Sequence, residues 1–204
     1  ISKAQGCLLG QLAGDALGSL VEFKSAEQIA VEYPGGVREI RDGGTWDTIA
    51  GQPTDDSEMA LLLARVILET GEYHVDKARE SYQYWLSSGP FDCGNTVRSA
   101  LRGQLNPESQ ANGAMMRVSP LGIFGATHEL KYVAEWARLD ASLTHPHQVC
   151  QETNALFTMA ISHAISSGCT PLELFQTIQS WAESSNAEDT IQETIAKAET
   201  EPPA

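Results

Sequence analysis

The chain has 204 residues, 42% of them hydrophobic, which is enough for a buried core in one domain or at most two. Thirteen basic against 27 acidic side chains leave a formal charge of -14, a field that repels a phosphate backbone or an anionic membrane surface and argues against nucleic-acid binding. An anionic small ligand is compatible with it only where metal ions or backbone N–H groups offset the field locally.

Residues 2 to 22 place Cys7, Leu8, Leu12, Ala16 and Leu20 near helical spacing, and glycines at 6, 10, 14 and 18 form a stripe of period four. Each glycine costs a helix roughly 1 kcal/mol relative to alanine, so the stripe predicts close approach of another backbone. Gln5, Gln11 and Asp15 interrupt the apolar run, and no stretch reaches the about 18 apolar residues of a membrane span. No membrane partner is expected. Between 24 and 53, Pro34, Pro53 and five glycines remove any helical period and predict a long loop. It delivers the chain to Thr54, after which Met59, Leu62, Leu63, Val66 and Ile67 share one helix face until Gly71. A third helix over 75–87 turns Ala78, Tyr82, Trp85 and Leu86 inward and ends at Gly89-Pro90, and a short one starts near Gly94. Asn106-Pro107 opens a loop through Asn112-Gly113. Further helices are expected over 128–142, 147–167 and 171–184, the last with Thr170 as cap and Pro171 in its first position. No stretch alternates long enough for a strand, so the predicted fold class is all-α, a multi-helix bundle in a single domain over 1–204. From residue 185 the chain is acidic and weakly apolar, predicting a frayed helix and a loose end at Glu201-Pro202-Pro203.

The cysteines at 7, 93, 150 and 169 show no paired spacing and suggest neither a zinc site nor a disulfide framework. The N-terminal stretch lacks signal-peptide grammar, so a cytoplasmic setting is expected.

Four segments carry polar groups that a core does not need. Asp15, on the glycine-rich face, either bonds a neighbouring helix end or lines a cavity, and a heptad offset puts Glu22 on nearly the same face. In Thr54-Asp55-Asp56, Thr54 can act as an N-cap while the positive end of the helix keeps both carboxylates ionised. Crowded ionised oxygens suit Mg2+, although acidic residues after a Thr cap are also ordinary helix-start grammar. Asp92-Cys93-Gly94-Asn95-Thr96 reads as an Asx-type turn or as part of a polar site. The small residues of Asn112 to Pro120 would let backbone N–H groups approach a phosphate.

Together these segments resemble the ADP-ribosylglycohydrolase family, which includes the dinitrogenase-reductase-activating glycohydrolase and the ADP-ribosylarginine hydrolases. Gly-Cys-Leu-x-Gly, Gly-Asp-Ala-x-Gly and Glu fall at residues 6 to 22, Thr-Asp-Asp-Ser-x-Met-Ala at 54 to 60, and Asn-Gly-x-x-Met-Arg-x-x-Pro-Leu-Gly at 112 to 122. The resemblance implies an all-α fold with two Mg2+ ions, or Mn2+ in some members, in a cleft where ADP-ribose is removed from a modified protein or small molecule. It implies Thr54, Asp55 and Asp56 as metal ligands, and Asp92 and Glu22 as the catalytic carboxylates. It further implies a diphosphate cradle made of Asn112, Gly113, Ala114, Met115, Met116 and Arg117. His145 would lie beside the ligand, and Asn95 of the Asp92 segment is a further candidate for substrate contact. Cleaving a ribosyl C1 bond develops oxocarbenium character, so metal ions would orient the ribose and polarise water while a carboxylate manages the proton. A guanidinium leaving group would pair with such a carboxylate, which favours an arginine acceptor.

Relatives also carry a later Asp-Thr-Asp metal motif that this chain lacks. Glu152-Thr153-Asn154-Ala155 is only faintly similar and reads as part of a buried helix. The expectation is therefore a C-terminally incomplete hydrolase. The alternatives are an ADP-ribose-binding module that has lost the second metal, or a structural relative of the crystallin kind.

Overall fold

A computed structural model of the chain describes residues 1–200. Ten α-helices and one 3-10 turn follow one another with no strand among the described residues, only an isolated bridge between Gly43 and Thr48. The all-α expectation is correct. The helices are α1 (Ser2–Gly18), α2 (Ala26–Glu32), α3 (Asp55–Thr70), α4 (Val75–Ser87), α5 (Asn95–Leu101), α6 (Ser119–Gly125), α7 (Leu130–Ser142), α8 (Gln148–Ser167), α9 (Pro171–Ser184) and α10 (Asp189–Ala198). The 3-10 turn is Met115–Arg117, just before α6.

Helices α3, α4, α7, α8 and α9 fall where their apolar period and stop signals place them. Gly71 ends α3 in the left-handed conformation at φ 75°, which a glycine adopts without a Cβ penalty. Met59, Leu63 and Ile67 of α3 meet Tyr82 and Trp85 of α4, Val97 and Leu101 of α5, and Val118 and Leu121 to form the main core. The Trp85 indole N–H donates to Glu58 at 2.7 Å, so the largest ring there leaves no orphaned donor. Helix α8 carries Asn154 and Ala155 on its buried side, as expected for that segment.

Three expectations are corrected. The loop over 24–53 contains α2, started by a capping box in which Ser25 Oγ accepts from the Gln28 N–H and Gln28 Oε1 accepts from the Ser25 N–H. The chain after 185 is not merely frayed: α10 packs Ile191 and Ile195 onto Ala182, Ala187, Val149 and Leu156, and the Pro-Pro end lies outside the described residues. Among the described residues the glycine stripe of α1 meets no other backbone, because a Cβ built on Gly6, Gly10, Gly14 or Gly18 would have nothing within 4 Å.

The close approaches lie elsewhere. A Cβ on Gly125 would sit 2.6 Å from Ser162 Oγ and 2.7 Å from Val133 Cγ2, where α6 crosses α7 and α8. Gly125→Ala is therefore expected to cost about 1–3 kcal/mol through overpacking. Gly10→Ala should instead stabilise by roughly 0.5–1 kcal/mol, as alanine does in an open helix position. Urea denaturation of the two variants checks both signs, and a destabilising Gly10→Ala would restore the close-packing view of the stripe.

Candidate active site

The site is assembled at the N-terminus of α3, and its first organiser is Asp15 on α1. The Asp15 carboxylate accepts from the Thr54 N–H at 3.1 Å, the Thr54 hydroxyl at 2.8 Å and the Ser57 N–H at 3.2 Å. A carboxylate from another helix thus caps α3, and Thr54 occupies the cap position without capping through its own side chain. One turn earlier on α1, Gln11 donates to the backbone carbonyls of Asp56 at 3.1 Å and Met116 at 2.8 Å and accepts from the Ser119 hydroxyl. Gln11 joins three segments that are far apart in sequence, and it was not among the predicted site residues. Its i, i+4 spacing to Asp15 on an otherwise apolar helix was the available signal.

Asp55 is buried and accepts from the Gly94 N–H at 3.1 Å, which ties the start of α3 to the turn before α5. Its charge acts on the neighbouring Asp92 carboxyl. Burial, then the charges of Asp55, Asp15 and Glu22, push Asp56 up to about 6. Burial, then Asp55, Glu22 and Asp56, push Asp92 up to about 7, and Asp55 is raised chiefly by burial. Among the described residues no Lys, Arg or His forms an ion pair with any of the three.

Glu22 does not share a helix face with Asp15, because α1 ends at Gly18. A turn brings it close enough to the other carboxylates to act on Asp56 and Asp92. Trp46 fixes it by donating its indole N–H to Glu22 Oε2 at 2.7 Å. Trp46 sits in a small loop closed by paired hydrogen bonds between Gly43 and Thr48. Gly44 (φ 77°) lets that loop lie against α1's exit, where a Cβ would be 2.7 Å from Leu20 Cα.

Asn112, Met115 and Met116 line a cavity of about 410 Å3 with Gln11, Asp56, Ser119, Cys7, Phe157 and Ile161. The amides of Met115 and Met116 donate inward to the Asn112 carbonyl at 2.8 and 3.1 Å, so these two N–H groups are not free to cradle a phosphate. Gly113 and Ala114 are buried, and Asn95 is exposed at the first turn of α5, outside that cavity.

Two of the predicted ligand contacts lie inside the protein instead. Arg117 is fully buried and pairs with Asp140 of α7 at 2.9 Å. It also donates to the Gly113 carbonyl at 3.1 Å, the Thr144 hydroxyl at 2.9 Å and the Asp140 carbonyl at 2.8 Å. Tyr82 and Tyr73 donate to the same Asp140 oxygen at 3.0 and 3.4 Å, and burial together with the Asp140 charge holds both phenols well above their ordinary pKa. Arg117 therefore braces the Asn112 loop from behind. His145 is likewise fully buried, with Nδ1 2.8 Å from Thr144 Oγ1 and its ring against Gly113. Burial, and then Arg117, push its imidazole from 6.5 down to about 4. A depressed histidine favours the native state above its unfolded pKa, and that contribution is lost as pH falls from about 6.5 toward 4. NMR titration should show the His145 ring neutral from pH 8 to 5. Protonation near 6.5 would contradict its burial.

The match to the ADP-ribosylglycohydrolase family model runs over residues 1–204. The chain belongs to the ADP-ribosylglycohydrolase family. It is similar to the ADP-ribosyl-[dinitrogen reductase] glycohydrolase of Rhodospirillum rubrum, at 34% identity over 80% of this chain and 58% of that protein. It is also similar to an ADP-ribosylarginine hydrolase of Serratia proteamaculans, at 32% identity over 61% of this chain and 37% of that one. The chain thus spans about half the length of the curated relatives it matches. An "ADP-ribosylglycohydrolase-related protein complex" of solved structure superposes with a TM-score of 0.79 over 98% of this chain and 68% of its own, and at 23% identity this likeness shows the fold.

Buried carboxylates that raise one another's pKa and form no ion pair among the described residues carry charge that a hard divalent ion would offset, and all the donors are oxygens. The donor chemistry fits Mg2+ or Mn2+. Among the described residues no three or more His, Cys, Asp or Glu side chains converge as a metal site.

Proposed function

We propose that the chain carries the ADP-ribose site of a metal-dependent hydrolase that releases ADP-ribose from a modified acceptor, an arginine side chain. The observation that supports this reading most is the group of Asp55, Asp56, Asp92 and Glu22 beside the Gln11–Asn112 cavity, none of them in an ion pair among the described residues, in a chain of this family. Thr54, Asp55 and Asp56 would hold the metal. When bound, it would supply Lewis-acid polarisation of a water and orientation of the ribose hydroxyls. Thr54 can do this while still donating to Asp15, because its hydroxyl keeps lone pairs free. Asp92, buried against Asp55, manages the proton at the leaving nitrogen, and Glu22, held by Trp46, faces the ribose as the positive charge at C1 develops. The Asn112 loop lines the ADP-ribose cavity, with Arg117 and His145 acting behind it. The free thiols of Cys7, Cys93, Cys150 and Cys169 accord with a reducing cytoplasm, and no described helix is long and apolar enough to cross a membrane.

A second reading, an ADP-ribose-binding module without turnover, draws on the incompleteness of the metal site among the described residues. The two separate in one experiment. The full protein with Mg2+ should release ADP-ribose from an ADP-ribosylated arginine peptide, and the Asp55→Ala, Asp56→Ala double variant should not. Calorimetric binding of ADP-ribose with no release favours the module, and release undiminished by the double change contradicts the assignment of these aspartates.

A further inference from the structure

Three aromatic rings stand on the carboxylate side of the site, and only Trp46, which holds Glu22, has a role so far. Phe23 is 81% exposed and Phe91 is 40% exposed, while Trp46, between them, is half-buried. The Phe23 and Trp46 centroids are 6.2 Å apart at 75°, and those of Trp46 and Phe91 are 5.9 Å apart at 63°, both edge-on contacts. Each ring is attached to a candidate catalytic carboxylate. Phe23 follows Glu22, Trp46 donates to Glu22, and Phe91 precedes Asp92. Phe23 also sits at φ 62°, a left-handed conformation that is uncommon for a bulky residue and directs attention to function when its side chain is left in water. None of the three lines the cavity formed by Gln11, Asn112 and the methionines.

We propose that Phe23, Trp46 and Phe91 form the acceptor subsite, which grips a cationic side chain, the stem and guanidinium of arginine. Ring faces attract a guanidinium and pack its methylenes. Among the described residues neither adjacent carboxylate, Glu22 or Asp92, forms an ion pair that would compete with it. The ADP-ribose half and the acceptor half of the substrate are then held on different sides of the carboxylate group, Asp56 lining the cavity and Glu22 bonded at the ring side to Trp46 while it reaches the ribose between them. The aromatic group selects the acceptor, and an uncharged acceptor gains little from it.

This inference rests on the hydrolase reading but fails separately from it. The probe is Nα-acetyl-arginine amide, with its uncharged citrulline counterpart as control, titrated into the full protein while the Trp46 indole N–H resonance is followed by NMR. The arginine probe should shift that resonance and bind about tenfold more tightly than the citrulline probe. Phe23→Gly, which also relieves the left-handed backbone, combined with Phe91→Ala, should remove that preference. In turnover, the same double variant should raise KM for the ADP-ribosylated arginine peptide about tenfold with a smaller change in kcat. Equal binding of the two probes, or a preference unchanged by the double variant, overturns the subsite even if ADP-ribose is released. A ring-dependent arginine preference in a protein that releases no ADP-ribose upholds the subsite and counts against the hydrolase.

Discussion

Asp140→Ala is expected to destabilise the protein by about 3–5 kcal/mol, since it leaves the fully buried Arg117 guanidinium without its counter-charge. The same change removes the acceptor shared by the Tyr73 and Tyr82 hydroxyls. Arg117→Met alone should cost a similar amount, because Asp140 is then the stranded charge. The double variant Asp140→Ala, Arg117→Met should recover part of the loss, because two apolar groups are easier to bury than one unpaired ion. Denaturant unfolding of the four proteins of this cycle measures the coupling. Additive losses would show that the pair is not the brace it is drawn as. The functional consequence follows from the Gly113 carbonyl, which Arg117 holds. Any variant that stays folded should loosen the Asn112 loop and raise the KM for an ADP-ribosylated substrate more than it lowers kcat.

Asp92→Asn is expected to lower kcat by about 10²–10⁴-fold, the usual contribution of a positioned proton-transfer group. The amide keeps the shape of the carboxyl, so stability should change little and binding of ADP-ribose should persist. Single-turnover kinetics on the arginine-linked substrate separates the chemical step from product release. A kcat within threefold of the parent protein would move the proton-managing role from Asp92 to Glu22, whose own Glu22→Gln variant should then show the larger loss. Trp46→Phe adds a control. It removes the 2.7 Å indole hydrogen bond to Glu22 while keeping an aromatic ring between Phe23 and Phe91, so a loss of kcat larger than any rise in KM would show that the orientation of Glu22 matters.

The helices were legible where one physical signal dominated. Apolar spacing with a glycine or proline stop located α3, α4, α8 and α9 to within a residue or so. Helix α2 was missed because its seven residues, with none buried, are too few to show a period, although Ser25-x-x-Gln28 spelled a capping box. The 3-10 turn and α6 have few residues, too short for periodicity to speak, and only Pro120 marks their start. Within the site, the grouping of Asp55, Asp56, Asp92 and Glu22 was readable from motifs, but the direction of each side chain was not. A motif tells that Arg117 and His145 matter, and it does not distinguish a residue that touches a ligand from one buried behind the loop that does. Asp140 was missed, and Gln11 was read only as a break in the apolar run, for the complementary reason: their partners lie 23 and 105 residues away in sequence, so nothing local names those partners. The same limit explains the glycine stripe, where a regular pattern on α1 faces open space in the described chain.

The central claim is that the carboxylate group at the start of α3 works with a divalent metal to release ADP-ribose. Its most direct test is the appearance of free ADP-ribose from an arginine-ADP-ribosylated peptide, followed with the full protein in Mg2+ or Mn2+, after exhaustive chelation, and after the metal is restored. The account predicts turnover with metal, a drop of at least about a hundredfold on chelation and recovery when the ion returns. Release that continues unchanged in chelator, or no release with either metal, would contradict it.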